Sequence, residues 1–465
     1  MALFFHFGPN TFTDSEWGTG GADPSLFNPT RLNTTQWVQV AKDAGFNRVI
    51  LTAKHHDGFC LWPSEYTDYS VKSSSWRNGA GDVVKELALS ANEAGLDLGL
   101  YLSPWDRHEV SYGKTLEYNE FYMGQMTELL TRYGEIKEVW LDGAKGEGEK
   151  DMEYYFDCWF SLIHQLQPGA VIFSDAGPDT RWIGDEAGVA GSTCWSLFNR
   201  SSAKIGGTDP NNGHFTGKLT HPHFTLKRMI QLNTMKGLIM HAERVLWRMC
   251  ACWSGVDSLG LVSAEDIKVL QEFTELQKSI FSYNLAKNAL LSASSTRGGI
   301  VDSRFDPNNV LEEGIYTYWA PEENQSNWEL YLDLSESVSF NVLQVQEPIQ
   351  MGQRIIEFHL EIEKDGEWKK VINGTTVGYQ RLLQFPTVES QHLKFVIDKS
   401  RADPLISFLG VYMDSFSLVG NKFDNSSQMH FNSSVAVQEA RCNHFLNSSE
   451  VLRQTTPNHT QTAAL

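Results

Sequence analysis

The first 190 residues alternate between apolar runs and amphipathic stretches, and this constrains the fold more than any other feature. The apolar runs are ALFFHFG (2–8), NRVILTA (47–53), LDLGLYLS (96–103), EVWLDG (138–143) and AVIFSDAG (170–177). Stretches of helical periodicity lie between them, at 34–44, 82–94, 118–133 and 149–166. Thr34 or Thr35 is suited to cap the first of these, and Gly45, Gly95, Gly134 and Gly169 follow the helical ends. Runs that are apolar throughout imply strands buried on both faces, and that means parallel strands covered by helices. Five strands in about 175 residues is the spacing of an α/β barrel of the (β/α)8 kind.

Residues 264–282, AEDIKVLQEFTELQKSIFS, form an amphipathic helix that closes this first domain, which then spans 1–284. After it come short alternating runs: NWELYLDL, FNVLQVQE, RIIEFHLEIEKDGEWKKVI, HLKFVIDK and ISFLGVYM. Asp365-Gly366 between two such runs signals a hairpin. Residues 285–420 therefore read as a β-sandwich. Residues 421–465, rich in Asn, Ser, Thr and Gln, read as a disordered tail. A chain of 465 residues suits such a division. One interval is out of character. Between 214 and 250 the chain carries six basic residues (Lys218, Lys227, Arg228, Lys236, Arg244, Arg248), one acidic residue, Glu243, and four histidines. No strand pattern appears where the seventh and eighth strands belong, so the barrel reads as incomplete over 205–257. A helical insertion is the plain alternative.

Net charge is −19, which repels phosphate backbones and anionic membranes, so nucleic acid is excluded as a partner. No apolar run reaches the roughly 18 residues of a membrane span, so no membrane insertion is expected. The opening MALFFHFGPN lacks a basic n-region and His6 breaks its apolar run, so it does not read as a signal peptide. Asn33, Asn199, Asn324, Asn373, Asn425, Asn432, Asn447 and Asn458 each begin a glycosylation sequon. They point to a secreted, extracellular protein whose signal peptide is absent from this chain. Six scattered cysteines form no zinc spacing.

In a parallel barrel the C-terminal ends of the strands face the site. The first strand offers His6, then Asn10, Glu16 and Trp17. The second offers Lys54, His55, His56 and Asp57, and the third Tyr101 and Trp105. The fourth offers Trp140 and Asp142, the fifth Asp175, and the following TRWIGDEAG offers Arg181, Trp182, Asp185 and Glu186. Carboxylates, aromatics and histidines without a phosphate loop favour a sugar or another neutral polyol. Fourteen Trp and fifteen Tyr supply ring faces for one. His55-His56 could be metal ligands, but adjacent strand residues point to opposite faces. No HExxH or paired cysteine set supports an ion, so neither metal nor cofactor is expected. Asp142 and Glu186 end separate strands, as the two acids of glycoside cleavage must. Asp142 also reads as a turn residue before Gly143, and Glu186 as a helix-start residue.

The stretches FFHFGPNTFTDSEWG, TAKHHDGFCLWPS, LGLYLSPWDRH, EVWLDGAKG and GPDTRWIGDEAG together resemble the α-L-fucosidases of glycoside hydrolase family 29, most closely the plant enzymes acting on α-1,3- or α-1,4-linked fucose. The resemblance covers 3–200 and 258–420. It implies a retaining double displacement on fucosylated oligosaccharides or glycoproteins in the apoplast. Asp142 would be the nucleophile, in the family's W-x-D motif, and Glu186 the acid/base. Asp185 replaces the Asn that usually precedes that acid, adding a like charge beside it. His6, His55, His56 and Tyr101 match contacts to fucose hydroxyls, Trp140 matches a pocket wall, and Arg181 a sugar contact. Between about 205 and 257 the family's P-x-E…S-I-R-P-G-W-F and L-L-L-N-x-P-P stretches are missing. That basic block reads as an out-of-frame or alternatively spliced segment.

Three functions stay open at this point: a retaining fucosidase, a catalytically impaired variant that binds fucose or a glycan, and a metal hydrolase built on His55 and His56. The sandwich resembles carbohydrate-binding or discoidin-like modules, and packing support for the barrel is its plainer role.

Overall fold

The computed structural model describes residues 1–143, 145–146, 148–174, 177–180, 193–195, 256–299, 302–314 and 316–415. Five parallel strands stand in chain order: β1 (Ala2–Phe5), β2 (Arg48–Lys54), β3 (Asp97–Leu102), β4 (Glu138–Leu141) and β5 (Val171–Ser174). The helices are α1 (Pro9–Thr13), α2 (Thr34–Asp43), α3 (Val83–Ala94), α4 (Thr115–Arg132), α5 (Phe156–Leu166) and α6 (Ala264–Phe281). The alternation expected from the sequence is present, and β2 shows why. Every residue from Val49 to Lys54 is buried, because helices cover one face and the barrel interior the other.

The helix boundaries follow their caps. Asn33, not Thr34 or Thr35, caps α2: its Oδ1 accepts from the Gln36 amide at 3.0 Å. The two threonines instead bond Ser90 on α3, at 2.8 and 3.3 Å. Asp82 caps α3 through the Lys85 amide, and Gly95 ends it at φ 72°, a left-handed conformation in which glycine has no Cβ penalty. The helix expected from 149 begins only at Phe156. The stretch before it is held off the helical path by α4. Asn119 donates to the Glu153 carbonyl at 2.9 Å and accepts from the Tyr155 amide at 2.8 Å.

Arg48 ties the N-terminal ends of three strands, reaching Asp97 at 3.0 Å and Glu138 at 2.6 Å. At the other end, β2 slips by one residue against β3 between Thr52 and Lys54. The bulge re-aims the chain just before His55. It turns Lys54 toward α4, where its Nζ meets Gln125 at 2.9 Å beside Asp106 at 2.8 Å. Residues 256–263 fold back on α2. The Trp37 indole donates to the Gly260 carbonyl at 3.0 Å, and Gln36 exchanges two hydrogen bonds with Val262. Trp37 is fully buried, and truncating such a residue to Ala costs about 3–5 kcal/mol.

Six antiparallel strands follow: β6 (Leu290–Ala293), β7 (Trp328–Gln346), β8 (Ile355–Lys364), β9 (Glu367–Gly374), β10 (Arg381–Ser400) and β11 (Phe408–Tyr412). Their order is β11-β7-β10-β8-β9, with β6 beside β7. The two alternating runs at 327–334 and 340–347 are one strand, β7. The register of β10 against it breaks at 384–388 and 390–392, so a single pair of strands bends and serves the whole sandwich. The hairpin at Asp365-Gly366 is present, with φ of 59° and 78°, the left-handed pair that a two-residue turn between twisted strands requires. Helix α6 joins the two parts: Ile280 packs with Val342 and Tyr412, and Asn284 accepts from the Val411 amide at 3.1 Å. Among the described residues no helix is long and apolar enough to cross a membrane. The expected tail, 421–465, lies outside the described residues, as does nearly all of 205–257.

Candidate active site

The C-terminal ends of β1 to β4 bring together His6, His55, His56, Tyr101, Trp140 and Asp142. A layer of rings forms the floor. Tyr101 stacks on Trp140 with centroids 5.3 Å apart, and Trp140 stacks on Phe173 at 4.3 Å and 5°. Phe4 meets Tyr101 and Trp140 edge-on. Asp142 stands above this floor. Its Oδ2 accepts from the Tyr101 hydroxyl at 2.9 Å and lies 3.7 Å from His56 Nε2. Asp142 is therefore more than a turn residue before Gly143.

Strand alternation would put His55 and His56 on opposite faces. They are instead side by side, with ring centroids 4.1 Å apart. The strand ends at Lys54, and both follow the bulge, where alternation no longer applies. Each ring has one nitrogen engaged. Asn10 Nδ2 is 3.4 Å from His55 Nδ1, and Ser103 Oγ is 2.7 Å from His56 Nδ1. Among the described residues no three His, Cys, Asp or Glu side chains are grouped to hold a metal ion. His6 sits 5.2 Å from His55, centroid to centroid. Trp17 and Trp105 wall the far side, edge-on to each other at 5.3 Å, and Trp105 lies 4.8 Å from the His56 ring.

Burial sets the charge state of the histidines. It lowers His6 to about 4, against an upward pull from Asp142. It lowers His55 well below the usual imidazole value, assisted by His56 and His6. It lowers His56 to about 4, with Asp142 opposing and Arg107 and Lys54 assisting. Near neutrality all three rings are uncharged and can each donate one hydrogen bond and accept another. Asp57 is pushed up to about 7 by burial. Gly18 is required beside it, since a Cβ there would stand 2.5 Å from Asn10 Oδ1 and 2.7 Å from Asp57 Cβ. A cavity of about 210 Å³ opens next to His6 and His55, rimmed by Asn10, Glu16, Asp57 and Asp257.

Uncharged imidazoles, stacked rings and one carboxylate with a phenol donor suit recognition of neutral hydroxyls around a reacting carbon. Glu186, Arg181 and the neighbouring Asp175, Trp182 and Asp185 lie outside the described residues. Sequence reasoning missed Ser103 and Asp106. Asp106 accepts from Lys54 and from the His108 and Glu109 amides at 2.8, 3.0 and 2.9 Å. Both residues stand in LSPWD directly after β3, so the strand-end rule that selected Tyr101 could have selected them.

The family model described as "Alpha-L-fucosidase" matches residues 5–188. "Alpha-L-fucosidase 1" of Arabidopsis thaliana is 65% identical over 439 residues, covering 90% of this chain and 86% of its own length. The crystal structure of SpGH29 superposes with a TM-score of 0.75 at 35% identity, covering 89% of this chain and 95% of its own. A Ruminococcus gnavus GH29 fucosidase in complex with fucose superposes with a TM-score of 0.75 at 32% identity, covering 89% and 92%.

Proposed function

Because this chain belongs to the α-L-fucosidase family, glycoside hydrolase family 29, we propose that it is a retaining exo-enzyme. It releases terminal α-1,3- or α-1,4-linked L-fucose from oligosaccharides or glycoproteins. The observation that carries this reading is Asp142 at the end of β4, hydrogen-bonded at 2.9 Å by the Tyr101 hydroxyl and set among uncharged imidazoles.

In the first step Asp142 attacks the anomeric carbon of fucose. The bond from that carbon to the aglycone oxygen breaks, and the Glu186 carboxyl gives its proton to the departing oxygen. A fucosyl ester on Asp142 results. In the second step Glu186 takes a proton from water, the water oxygen attacks the same carbon, and the Asp142 carboxylate leaves. Two inversions give net retention, and one water is consumed. His6, His55 and His56 exchange hydrogen bonds with sugar hydroxyls, Trp140 and its stacked partners bear the apolar face of the ring, and Arg181 adds a polar contact. The two catalytic carboxyls should stand about 5–5.5 Å apart. Secretion to the apoplast is supported by the eight sequons. Of these Asn373, on the sandwich edge strand β9, is exposed.

The test is turnover of an aryl α-L-fucoside by the purified chain beside Asp142→Asn, with the anomer of the first-formed fucose read by proton NMR. Turnover with the α-anomer formed first, abolished in the variant, supports the reading. Formation of the β-anomer first overturns the retaining mechanism. No turnover with retained fucose binding favours the sugar-binding alternative, which the missing family stretches between 205 and 257 make specific.

A further inference from the structure

Ser103 is fully buried and His56 nearly so, and between them they fix where one proton resides. The Ser103 hydroxyl donates to the Trp105 carbonyl at 2.6 Å. A carbonyl oxygen has no hydrogen to give, so the single hydroxyl hydrogen lies on that contact. Ser103 Oγ is left with lone pairs toward His56 Nδ1, 2.7 Å away. Two acceptors at that separation would repel, so Nδ1 carries a hydrogen. An uncharged imidazole has one N–H, and its Nε2 is then a bare lone pair. That nitrogen faces Asp142 Oδ2 at 3.7 Å.

We infer that Ser103 is a positioning residue that holds the His56 proton on Nδ1, leaving Nε2 as an acceptor for a hydroxyl of the bound sugar and aiming no His56 N–H at Asp142. The inference rests on Asp142 being the nucleophile. The opposite tautomer would place an N–H against Asp142, in addition to the Tyr101 hydroxyl. A charge-assisted hydrogen bond of that kind stabilises the carboxylate before attack and weakens as its electron pair goes into the new bond to carbon, which slows the step. The opposite tautomer also requires the Ser103 hydroxyl to leave the Trp105 carbonyl inside a dry site. The charged and titratable groups around His56 are Asp142 after β4, Tyr101 on β3, Lys54 at the end of β2, Arg107 in the loop after β3, and the imidazoles of His6 and His55. Trp17 and Trp105 close the remaining sides with ring edges and faces. Sequence spacing gives no hint of the arrangement, because the two partners are 47 residues apart.

The experiment is nitrogen NMR of the full chain labelled at histidine, at pH 7, with the His56 signals assigned by their loss in His56→Gln. The expected spectrum shows a protonated Nδ1 and an unprotonated Nε2. In Ser103→Ala the proton moves wholly or partly to Nε2, and kcat on an aryl fucoside falls about 10-fold or more with a smaller change in KM. Ser103→Thr, which keeps the hydroxyl, retains both the spectrum and kcat. A protonated Nε2 in the wild-type chain overturns the inference. So does an unchanged His56 tautomer in folded Ser103→Ala. The spectrum is read without turnover, so a chain that cleaves no fucoside would refute the proposed function and leave the tautomer assignment standing.

Discussion

Replacing His56 by Gln should change how stability responds to acid, by an amount that burial fixes. An imidazole in the unfolded chain titrates at 6.5, and in the folded site His56 is held at about 4. Between those values the unfolded chain binds the extra proton and the folded one does not, so stability falls as pH falls through this window. About a unit above 6.5 the ring is neutral in both states and contributes almost no slope. With about 1.36 kcal/mol per unit, the loss from this one side chain is about 2 kcal/mol at pH 5 and about 3 kcal/mol at pH 4. The amide introduced by His56→Gln does not titrate. The variant gives up the Nδ1 hydrogen bond to Ser103 and is less stable than wild type at pH 7.5, but its deficit shrinks by about 2 kcal/mol on going to pH 5. In melting temperature that narrowing is roughly 2–4 °C. Scanning fluorimetry of both proteins from pH 5 to 7.5 at constant ionic strength measures it. Parallel curves, with a deficit constant to within about 1 °C, would refute the claim that this ring is buried uncharged.

Three further outcomes follow from the same geometry. Tyr101→Phe removes the phenol that donates to Asp142 at 2.9 Å and holds its carboxylate in one orientation; the loss of that orientation outweighs the gain in nucleophilicity, and steady-state kinetics on an aryl fucoside should show kcat down about 10-fold or more with KM little changed. Lys54→Met leaves Asp106, 2% exposed, without the ammonium that faces it at 2.8 Å. Urea unfolding should show a loss of about 3–5 kcal/mol, part of which Asp106→Asn in the same chain restores. Asp57 behaves opposite to His56. Its folded value of about 7 lies above the unfolded 3.8, so its contribution is complete below pH 3.8 and is lost as pH rises toward 7. Asp57→Asn should gain about 3 kcal/mol relative to wild type between pH 4 and pH 7, read from unfolding midpoints across that range.

The parts of this fold that the sequence disclosed are those whose cause is local. Val49 to Lys54 are buried on both faces, and a run buried on both faces is apolar throughout, so β2 could be read directly. Asp365-Gly366 set their turn by their own backbone preferences. Where the cause is a distant side chain the reading slipped. The periodicity of 149–155 is helical, yet Asn119 on α4 claims the Glu153 carbonyl and the Tyr155 amide and the helix starts late. Pro386 and the polar residues around it obscure the first half of β10, whose partner is the far end of β7.

The candidate site divides along the same line. Strand-end position found His6, Tyr101, Trp140 and Asp142, because a barrel turns those positions toward one opening whatever the rest of the chain does. It could not find the relation between His55 and His56. That depends on a one-residue slip of β2 against β3, and the slip is held by Lys54 reaching Asp106 and Gln125, 52 and 71 residues along the chain. Nor could it find the protonation state, since three adjacent imidazoles are neutral only because the folded chain removes water from all of them. Spacing therefore names the residues that line the opening. The hydrogen each one offers or takes is decided by the partners behind them, Ser103 for His56 and Asn10 for His55. Epimers of fucose at its ring hydroxyls differ only in where those hydroxyls point, so on the proposed reading substitutions among those partners should alter the ratio of kcat/KM on an aryl α-L-fucoside to that on its epimers.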